Sequence, residues 1–480
     1  MQENEIKTRS VSAVIALISR TFIVQIISFV ATLILTYYLE PSIYGVFYLV
    51  SSVINFLAYF SDVGLAAALI QKHDDIKDED LATTFTIQQI LVITTITILV
   101  ILSPIIRNFY EITSAGMYLM YAMAFSFFLS SLKTVPSIML ERQIQFSKLI
   151  IPQILENLVF NITAVVLAWN GFGISTFTWA VLARGIVGLI AVYYIYPWKP
   201  RIGVYKQSLS SLLKFGLPYQ VNTFLAILKD DGMTILLTKI IGTTGLGYIG
   251  WASKWAGLPL RIVMDNLTKV SFPTFSRLQN DKEKLAKAVE ISLKYLCLLT
   301  FPVLLILGFL AQPLATSIVR YQKWLPAIIP LYLYLYNSAW ASISTSLTNL
   351  LNAVGKINQT FKLMLMWTGL TWAIMPYFAF KFGYIGVAYA TAVIATSSFV
   401  TILLAKKSVH FSLSNTFKTP VFASLIMFIF MIVSRGYTSS VAITLIIAVL
   451  SVSIYLSTVI YLEGKLFITN TINYFKFKHV

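Results

Sequence analysis

Long apolar runs separated by short polar segments cover almost the whole chain. Each run is about as long as the ~20 apolar residues that a helix needs to cross a bilayer. Windows of that length predict about fourteen transmembrane helices. The second spans 43–70 and the thirteenth, 420–435, is the shortest. The eighth spans 245–276 and contains Pro259, which predicts a kink. This succession of apolar runs predicts an all-α polytopic membrane protein.

Composition supports a membrane protein. The 480 residues are 58% hydrophobic and 11% charged, whereas soluble domains carry roughly 25% charged residues. Cys297 is the single cysteine, so no disulfide within the chain and no thiol metal site is expected. Three histidines lie scattered in polar segments, which argues against a histidine-based metal or catalytic centre. We therefore expect that the protein has no metal site and no cofactor, and that it is not an enzyme.

The distribution of cations predicts how the helices are oriented. With the N-terminus placed in the cytoplasm, inner segments hold about 22 of the 36 Lys and Arg residues and outer loops about five. One missed helix would reverse this asymmetry in all later loops, and no reversal occurs. The count therefore predicts an even number of crossings and two cytoplasmic termini. An acidic run, 74–80, falls in an inner loop. Its last residues would begin the third helix, where their negative charges interact favourably with the positive N-terminal end of the helix dipole.

The apolar runs also repeat. The segment "LTYYLEPSIYGVF" (35–47) aligns without gaps with "LTKIIGTTGLGYI" (237–249), and the alignment pairs Gly45 with Gly247. A second pair of similar segments lies further along both halves. Helices one to six therefore resemble helices seven to twelve. Because six is even, both copies would insert the same way up, as parallel repeats.

This repeat predicts the domain organisation. Residues 1–200 form a first lobe with helices one to six, and 201–407 form a second lobe with helices seven to twelve. Residues 408–480 add two helices and a cytoplasmic tail, and part of the linker 198–215 should be an interfacial helix. Two six-helix lobes predict a central cavity and alternating access by movement of one lobe against the other.

Charged residues that remain within the spans are the first candidates for function. On helix eight, four charged residues fall on one face, within an arc of about 80°: Lys254, Arg261, Asp265 and Lys269. A charged stripe in a membrane helix faces protein or water, not lipid. Internal pairing of Arg261 with Asp265 and a wet substrate cavity are both open. The excess of cations favours the cavity, to which Lys229 on helix seven would also contribute.

Other embedded charges predict ion pairs or coupling sites. Arg20 on helix one and Asp62 on helix two lie at similar depth, so they could pair. Lys133 and Glu156 on helices four and five have the same relation. Two carboxylates, Asp230 and Asp231, follow Lys229 on helix seven. Structural pairing and a role in transport stay open for all of these residues.

Aromatic side chains on helix ten suggest a different surface. Tyr336 and Trp340 are four residues apart and share a face with Tyr332. Such a face could stack on sugar rings. The alternative is ordinary helix packing with an aromatic belt near the membrane interface.

Three stretches carry a resemblance to a known family. They are "FSDVGLAAALIQ" (60–71), "MLERQIQFSKL" (139–149), and "GYIGWASKWAGLPLRIV" with "VSFPTFSRLQND" (247–281). In this order they resemble Wzx-type oligosaccharide flippases of the multidrug/oligosaccharidyl-lipid/polysaccharide (MOP) exporter superfamily. The resemblance covers 10 to about 410. It implies a cationic central cavity to which Arg20 contributes, and export of glycans linked to undecaprenyl pyrophosphate.

The predicted function is therefore the flipping of a polyprenyl-pyrophosphate-linked oligosaccharide from the inner to the outer leaflet of the bacterial inner membrane. A proton or sodium ion could be the coupling ion. Two alternatives are a MATE-like exporter of cationic drugs and a membrane polysaccharide polymerase or glycosyltransferase. The first should have an acidic cavity and the second a large outer loop with catalytic carboxylates. The expected partners are the lipid-linked glycan, the bilayer and proteins of polysaccharide synthesis, but no nucleic acid.

Overall fold

The computed structural model describes residues 23–72, 75–438 and 440–464, and it describes the side chains of all of these except 215, 217–219, 221–223 and 265. Within this part of the chain all regular secondary structure is helical. The first eight helices are α1 (Ile23–Tyr38), α2 (Pro41–Ala58), α3 (Leu65–Gln71), α4 (Asp78–Tyr110), α5 (Ser114–Leu132), α6 (Thr134–Arg142), α7 (Phe146–Trp169) and α8 (Ser175–Ile195). The remaining helices are α9 (Lys206–Ile227), α10 (Met233–Leu278), α11 (Lys282–Ser317), α12 (Ile328–Ala353), α13 (Ile357–Thr396), α14 (Phe399–Ser408), α15 (Leu413–Ser434) and α16 (Val441–Glu463).

These helices confirm the all-α membrane architecture. Nine candidate spans in the described part of the chain are long and apolar enough to cross a bilayer, and Ile23–Tyr38 is a shorter apolar helix. The predicted number of fourteen crossings stays a prediction. The helix that corresponds to the thirteenth predicted span, α15, is longer than predicted, since it begins at Leu413. Ser412 caps it by accepting a hydrogen bond from the backbone N–H of Asn415 at 3.2 Å.

The chain divides into two compact units. The first comprises Met1–Gly250 and Thr371–Tyr384, and the second comprises Trp251–Leu370 and Ile385–Val480. A buried cluster in the first unit joins α3, α4, α6 and α9. In the second unit, one cluster joins α10, α11, α12 and α14, and another joins α11 to α15 and α16. The lobe boundaries predicted from the sequence repeat stay a prediction.

The second predicted span is not one continuous helix. Helix α2 ends at Ala58, a 3₁₀ turn covers Tyr59–Ser61, and α3 starts at Leu65. Val63 and Gly64 between them both have positive φ angles, 48° and 75°, and a β-branched residue rarely adopts this conformation. The sequence did not predict this break, because the stretch is hydrophobic on both sides of it.

Two other helix boundaries lie at glycines. Within α10 the backbone leaves helical geometry at Gly242 (φ 71°), between the predicted spans seven and eight. Within α13 it does so at Gly383 (φ 61°), between spans eleven and twelve. Pro259 lies inside α10, away from this glycine, and the predicted kink at Pro259 stays a prediction.

A reciprocal contact between α2 and α10 supports the predicted repeat. A Cβ atom on Gly45 would overlap the Thr243 carbonyl and lie 3.1 Å from the backbone N of Gly247. A Cβ atom on Gly247 would overlap the Pro41 carbonyl and lie 3.3 Å from the backbone N of Gly45. Pro41 and Thr243 have the same sequence spacing as the two glycines. The contact of Gly45 with Thr243 is thus repeated by the contact of Gly247 with Pro41, which is the pattern that a two-fold axis produces.

The acidic loop is tied to the segment that precedes α9. Asp78 pairs with Arg201. Asp80 accepts hydrogen bonds from the side chain of Lys72 at 2.6 Å and from the backbone N–H of Lys77 at 3.0 Å, at the start of α4. The hydroxyl of Thr83 accepts a hydrogen bond from the backbone of this preceding segment at 3.0 Å. Asp78 therefore holds the acidic loop against the segment before α9. Both carboxylates also interact favourably with the positive N-terminal end of α4.

Candidate functional site

Helix α10 carries the three cations of the predicted stripe, Lys254, Arg261 and Lys269. Lys254 and Arg261 are both exposed and make no ion pair with a described side chain. They are about 10 Å apart along the axis of one helix face. The side chain of Asp265 and the whole of Arg20 lie outside the described residues. Pairing of Arg261 with Asp265, and of Arg20 with Asp62, therefore stays a prediction.

Asp62 occupies a different setting from the one predicted. It lies in the turn between α2 and α3, where its carboxylate accepts a hydrogen bond from the backbone N–H of Ala66 at 3.3 Å. Its carbonyl also accepts from the backbone of Leu65. Asp62 therefore binds backbone N–H groups in the first turn of α3 and does not interrupt the middle of a helix.

The double acid on helix seven lies in a π-helical turn. Leu228–Gly232 links α9 to α10 with π geometry, which is rare and often found at functional sites. Asp230 pairs with Lys229 at 2.9 Å. Asp231 accepts a hydrogen bond from the side-chain amide of Asn55 on α2 at 3.5 Å. Lys229 is thus neutralised locally, which leaves it a weaker candidate for binding an anion than the cations of α10.

The predicted ion pair between Lys133 and Glu156 is present and has a third member. Glu156 on α7 accepts a hydrogen bond from Lys133, and its other oxygen lies 3.7 Å from Nε of Arg184 on α8. A Cβ atom on Gly188 would overlap this carboxylate, so a glycine is needed for Glu156 to fit beside α8. Glu156 and Lys133 are largely buried, whereas the Arg184 side chain is 56% exposed.

This triad lines a polar cavity of about 340 Å³ in the first unit. Ser137 and Glu141 line it on α6, and Gln153 and Asn157 line it on α7. Glu141 was not among the residues predicted from the sequence. Its position two helical turns after Lys133 was the available signal, because residues at i, i+4 and i+8 share a face.

The aromatic face of α12 borders an apolar pocket. Tyr336 and Trp340 make an edge-to-face contact with ring centroids 6.5 Å apart. Tyr336 lines a pocket of about 690 Å³ that is otherwise mainly apolar, with Arg435 at its rim. Trp340 packs against the buried cluster of the second unit. These surroundings fit helix packing better than a sugar platform, which would need hydroxyl partners.

Two other embedded cations have structural partners. Lys294 pairs with Glu463 at 2.5 Å, and Glu463 also accepts a hydrogen bond from Thr419, so α11, α15 and α16 are joined. Lys239 donates to the Phe109 carbonyl at the end of α4 at 2.8 Å and lies over the Phe109 ring. Among the described residues, no group of three or more His, Cys, Asp or Glu could hold a metal ion.

The fold is shared with solved membrane transporters. It is similar to a solved structure described as "Lipid II flippase MurJ, inward closed conformation", with a TM-score of 0.75 and 17% identity over 94% of this chain and 99% of that one. It is also similar to an inward-facing multidrug resistance MATE family transporter of the MOP superfamily, with a TM-score of 0.61 and 16% identity over 82% and 98% of the two chains. The protein therefore has the fold of MOP-superfamily transporters, as predicted.

The chain belongs to the polysaccharide biosynthesis protein family, whose model matches residues 14–329. It is 24% identical over 288 residues to the succinoglycan biosynthesis transport protein ExoT of Rhizobium meliloti (strain 1021), which is 60% of this chain and 58% of that protein. The matches span somewhat more than half the length of the first curated relatives. The family resemblance predicted from the sequence is confirmed.

Proposed function

We propose that this protein is a flippase that moves a polyprenyl-pyrophosphate-linked oligosaccharide from the inner to the outer leaflet by alternating access. The observation that carries the proposal is the cationic face of α10, with Lys254 and Arg261 exposed in a chain of the polysaccharide biosynthesis protein family. An unpaired cation in a membrane helix costs roughly 2.5–3.5 kcal/mol on insertion scales. Binding the pyrophosphate of a lipid-linked glycan would offset that cost.

The physical chemistry of the substrate fits such a path. Taking one sugar hydroxyl into hydrocarbon without a partner costs roughly 4–8 kcal/mol, so an oligosaccharide needs a polar route. The prenyl chain can stay in lipid. Each negative charge moved outward gains about 2.3 kcal/mol per 100 mV of inside-negative potential. No cofactor is needed, and a coupling proton or sodium ion is not required by this driving force.

The charge pattern favours this function over the two alternatives. A cavity for cationic drugs should present carboxylates, whereas α10 presents Lys254 and Arg261. A polymerase or glycosyltransferase should carry a catalytic carboxylate in an outer loop. The longest loop predicted to be outside, about 313–324, has Arg320 and Lys323 but no Asp or Glu. The relative ExoT is described as a transport protein.

The protein crosses the membrane several times, and we propose that it lies in the bacterial inner membrane with both termini in the cytoplasm. A cysteine at Tyr437, which is 71% exposed, should then react with an impermeant thiol reagent added to intact cells. A cysteine at Gln279, also exposed, should react only after the cells are opened. The buried Cys297 supplies the unlabelled background. The reverse labelling pattern would refute this orientation.

Arg261→Ala should abolish glycan export while the protein still inserts in the membrane, because the pyrophosphate loses one cation of this face and Lys254 alone does not compensate its charge. Arg261→Lys keeps the charge and should retain part of the activity. Arg277→Ala is the matched control, since it removes an exposed cation from the same helix but from the opposite face. The measurement is surface glycan in a deletion strain that expresses each variant. Full restoration by Arg261→Ala would exclude the proposed role.

The proposed function itself is tested by the lipid-linked intermediate that accumulates when the gene is deleted. A polyprenyl-linked glycan should build up on the cytoplasmic face and disappear when the wild-type gene is restored. This glycan also identifies the substrate and the synthesis proteins that act with the flippase. Normal surface glycan without an accumulated intermediate would contradict the proposal.

A further inference from the structure

The polar cavity of the first unit holds four charged side chains at the junction of α6, α7 and α8. Lys133 is the N-cap residue of α6, and Glu141 lies within α6. Glu156 belongs to α7 and Arg184 to α8. From α1, the described lining residue is the apolar Val24. When all four groups are ionised their charges cancel. Protonation of one carboxyl would therefore leave the cavity with a net positive charge.

The two carboxyl groups have unequal environments. Glu156 contacts both cations and fits against Gly188, so its charge is compensated. Glu141 is half-buried and has no hydrogen bond or ion pair from its side chain to any described residue. Its neighbour Arg142 is occupied elsewhere, because it donates to the Leu69 and Lys72 carbonyls at the end of α3. Glu141 is thus the carboxyl in this cavity whose ionised form lacks compensation.

Burial raises the pKa of the Glu141 carboxyl above its ordinary value. Removal from water disfavours the charged form, and no partner offsets that effect. Glu141 follows the apolar span Ser114–Leu132 by two to three helical turns, on the side where the sequence places the cytoplasm. A group in this position can exchange a proton with water and still border the cavity.

Arg184 is the cation that can respond to the charge of Glu141. It contacts Glu156 only through Nε at 3.7 Å, and more than half of its side chain is exposed. Lys133, in contrast, is largely buried and donates directly to Glu156. An ionised Glu141 would attract Arg184, and a protonated Glu141 would not.

We propose that this cavity is a proton-binding site, in which Glu141 takes up one proton from water and Arg184 changes partner in response. The carboxylate becomes a neutral carboxylic acid, and the charge of the four side chains rises from zero to plus one. We further infer that this proton is the coupling ion of export. That second statement rests on the proposed flippase function, whereas proton binding does not.

Infrared difference spectroscopy of the purified full-length protein in liposomes tests proton binding. Spectra taken between acidic and neutral pH should show the carbonyl band of a protonated carboxyl in the wild type. Glu141→Gln should weaken the band by the contribution of one carboxyl group. Glu79→Gln is the matched control, because Glu79 is exposed at the start of α4 and its loss should leave the band unchanged. An unchanged band in Glu141→Gln would overturn the proposal.

Arg184→Gln distinguishes a cavity site from an isolated carboxyl. In this variant no Arg184 side chain can move to the ionised Glu141, so the Glu141 carboxyl should titrate at a higher pH than in the wild type. Titration of Glu141 at the wild-type pH in this variant would overturn the coupling between the two side chains.

Export at different external pH tests the coupling. As the coupling ion, the proton would reach Glu141 from the outer side in the alternate state and leave to the cytoplasm as the glycan moves outward. In a deletion strain, wild-type export should therefore increase as the medium becomes more acidic, and export by Glu141→Gln should not respond. A wild-type pH response in Glu141→Gln would overturn the coupling role even if the infrared band is weakened. If the wild-type gene restores no glycan export at all, the proposed function fails, but the infrared result still decides whether Glu141 binds a proton.

Discussion

Replacement of Glu156 by Ala should destabilise the protein strongly. The substitution leaves Lys133 largely buried and beside Arg184 with no carboxylate between them. Removing one partner of a buried ion pair costs about 3–5 kcal/mol, which is a large part of a typical folding free energy of about 5–15 kcal/mol. The measurements are the amount of inserted protein and its thermal unfolding in detergent, with Glu79→Ala as the exposed control.

A double-mutant cycle decides whether this effect comes from the ion pair. Lys133→Met combined with Glu156→Met removes both charges while keeping apolar volume. The double variant should lose less stability than the sum of the two single variants, because neither charge is left unpaired. Strictly additive losses would contradict the interaction between the two side chains.

Replacement of either Gly45 or Gly247 by Ala should force α2 and α10 apart. In each case the added methyl group would overlap a backbone carbonyl of the opposite helix, and backbone atoms cannot turn away as a side chain can. Overpacking of this kind costs about 1–3 kcal/mol. Gly257→Ala is the matched control on α10, because no atom lies within 4 Å of the added Cβ.

The reciprocal geometry makes this prediction specific. Both variants should show reduced thermal stability of similar size and reduced export, while Gly257→Ala should behave as the wild type. A wild-type phenotype for Gly45→Ala or Gly247→Ala would show that the backbones of the two helices do not meet at these glycines.

Much of the fold could be predicted from the sequence because hydrophobicity determines where helices can cross a membrane. Apolar length was sufficient to predict the helical class. The repeat that pairs Gly45 with Gly247 stays a prediction, which their reciprocal contact supports. The break between α2 and α3 was missed, because Val63 is apolar and the positive φ at this position is not visible in a hydrophobicity pattern. Positive φ at Gly242 and Gly383, in contrast, coincided with the ends of apolar runs.

The candidate site was predicted in part. Matching depth on neighbouring helices identified the Lys133–Glu156 pair, since antiparallel helices bring equal depths together. Depth alone could not identify Arg184 as the third member, because its contact depends on how α8 packs against α7. Glu141 was overlooked because it follows the apolar run and therefore resembles an ordinary loop residue. The setting of Asp62 was predicted wrongly, because a carboxylate at the start of a helix and a buried charge within one look alike in an apolar sequence.

The most direct test of glycan flipping is reconstitution of the purified protein into liposomes that carry the accumulated lipid-linked glycan. The measured quantity is the fraction of glycan on each leaflet, determined with an enzyme that cannot cross the bilayer and modifies only exposed sugars. We expect rapid exchange between leaflets with wild-type protein and with Arg277→Ala, and no exchange with Arg261→Ala or with empty liposomes. Glycan that stays on its original leaflet in the presence of folded wild-type protein would contradict the flippase function.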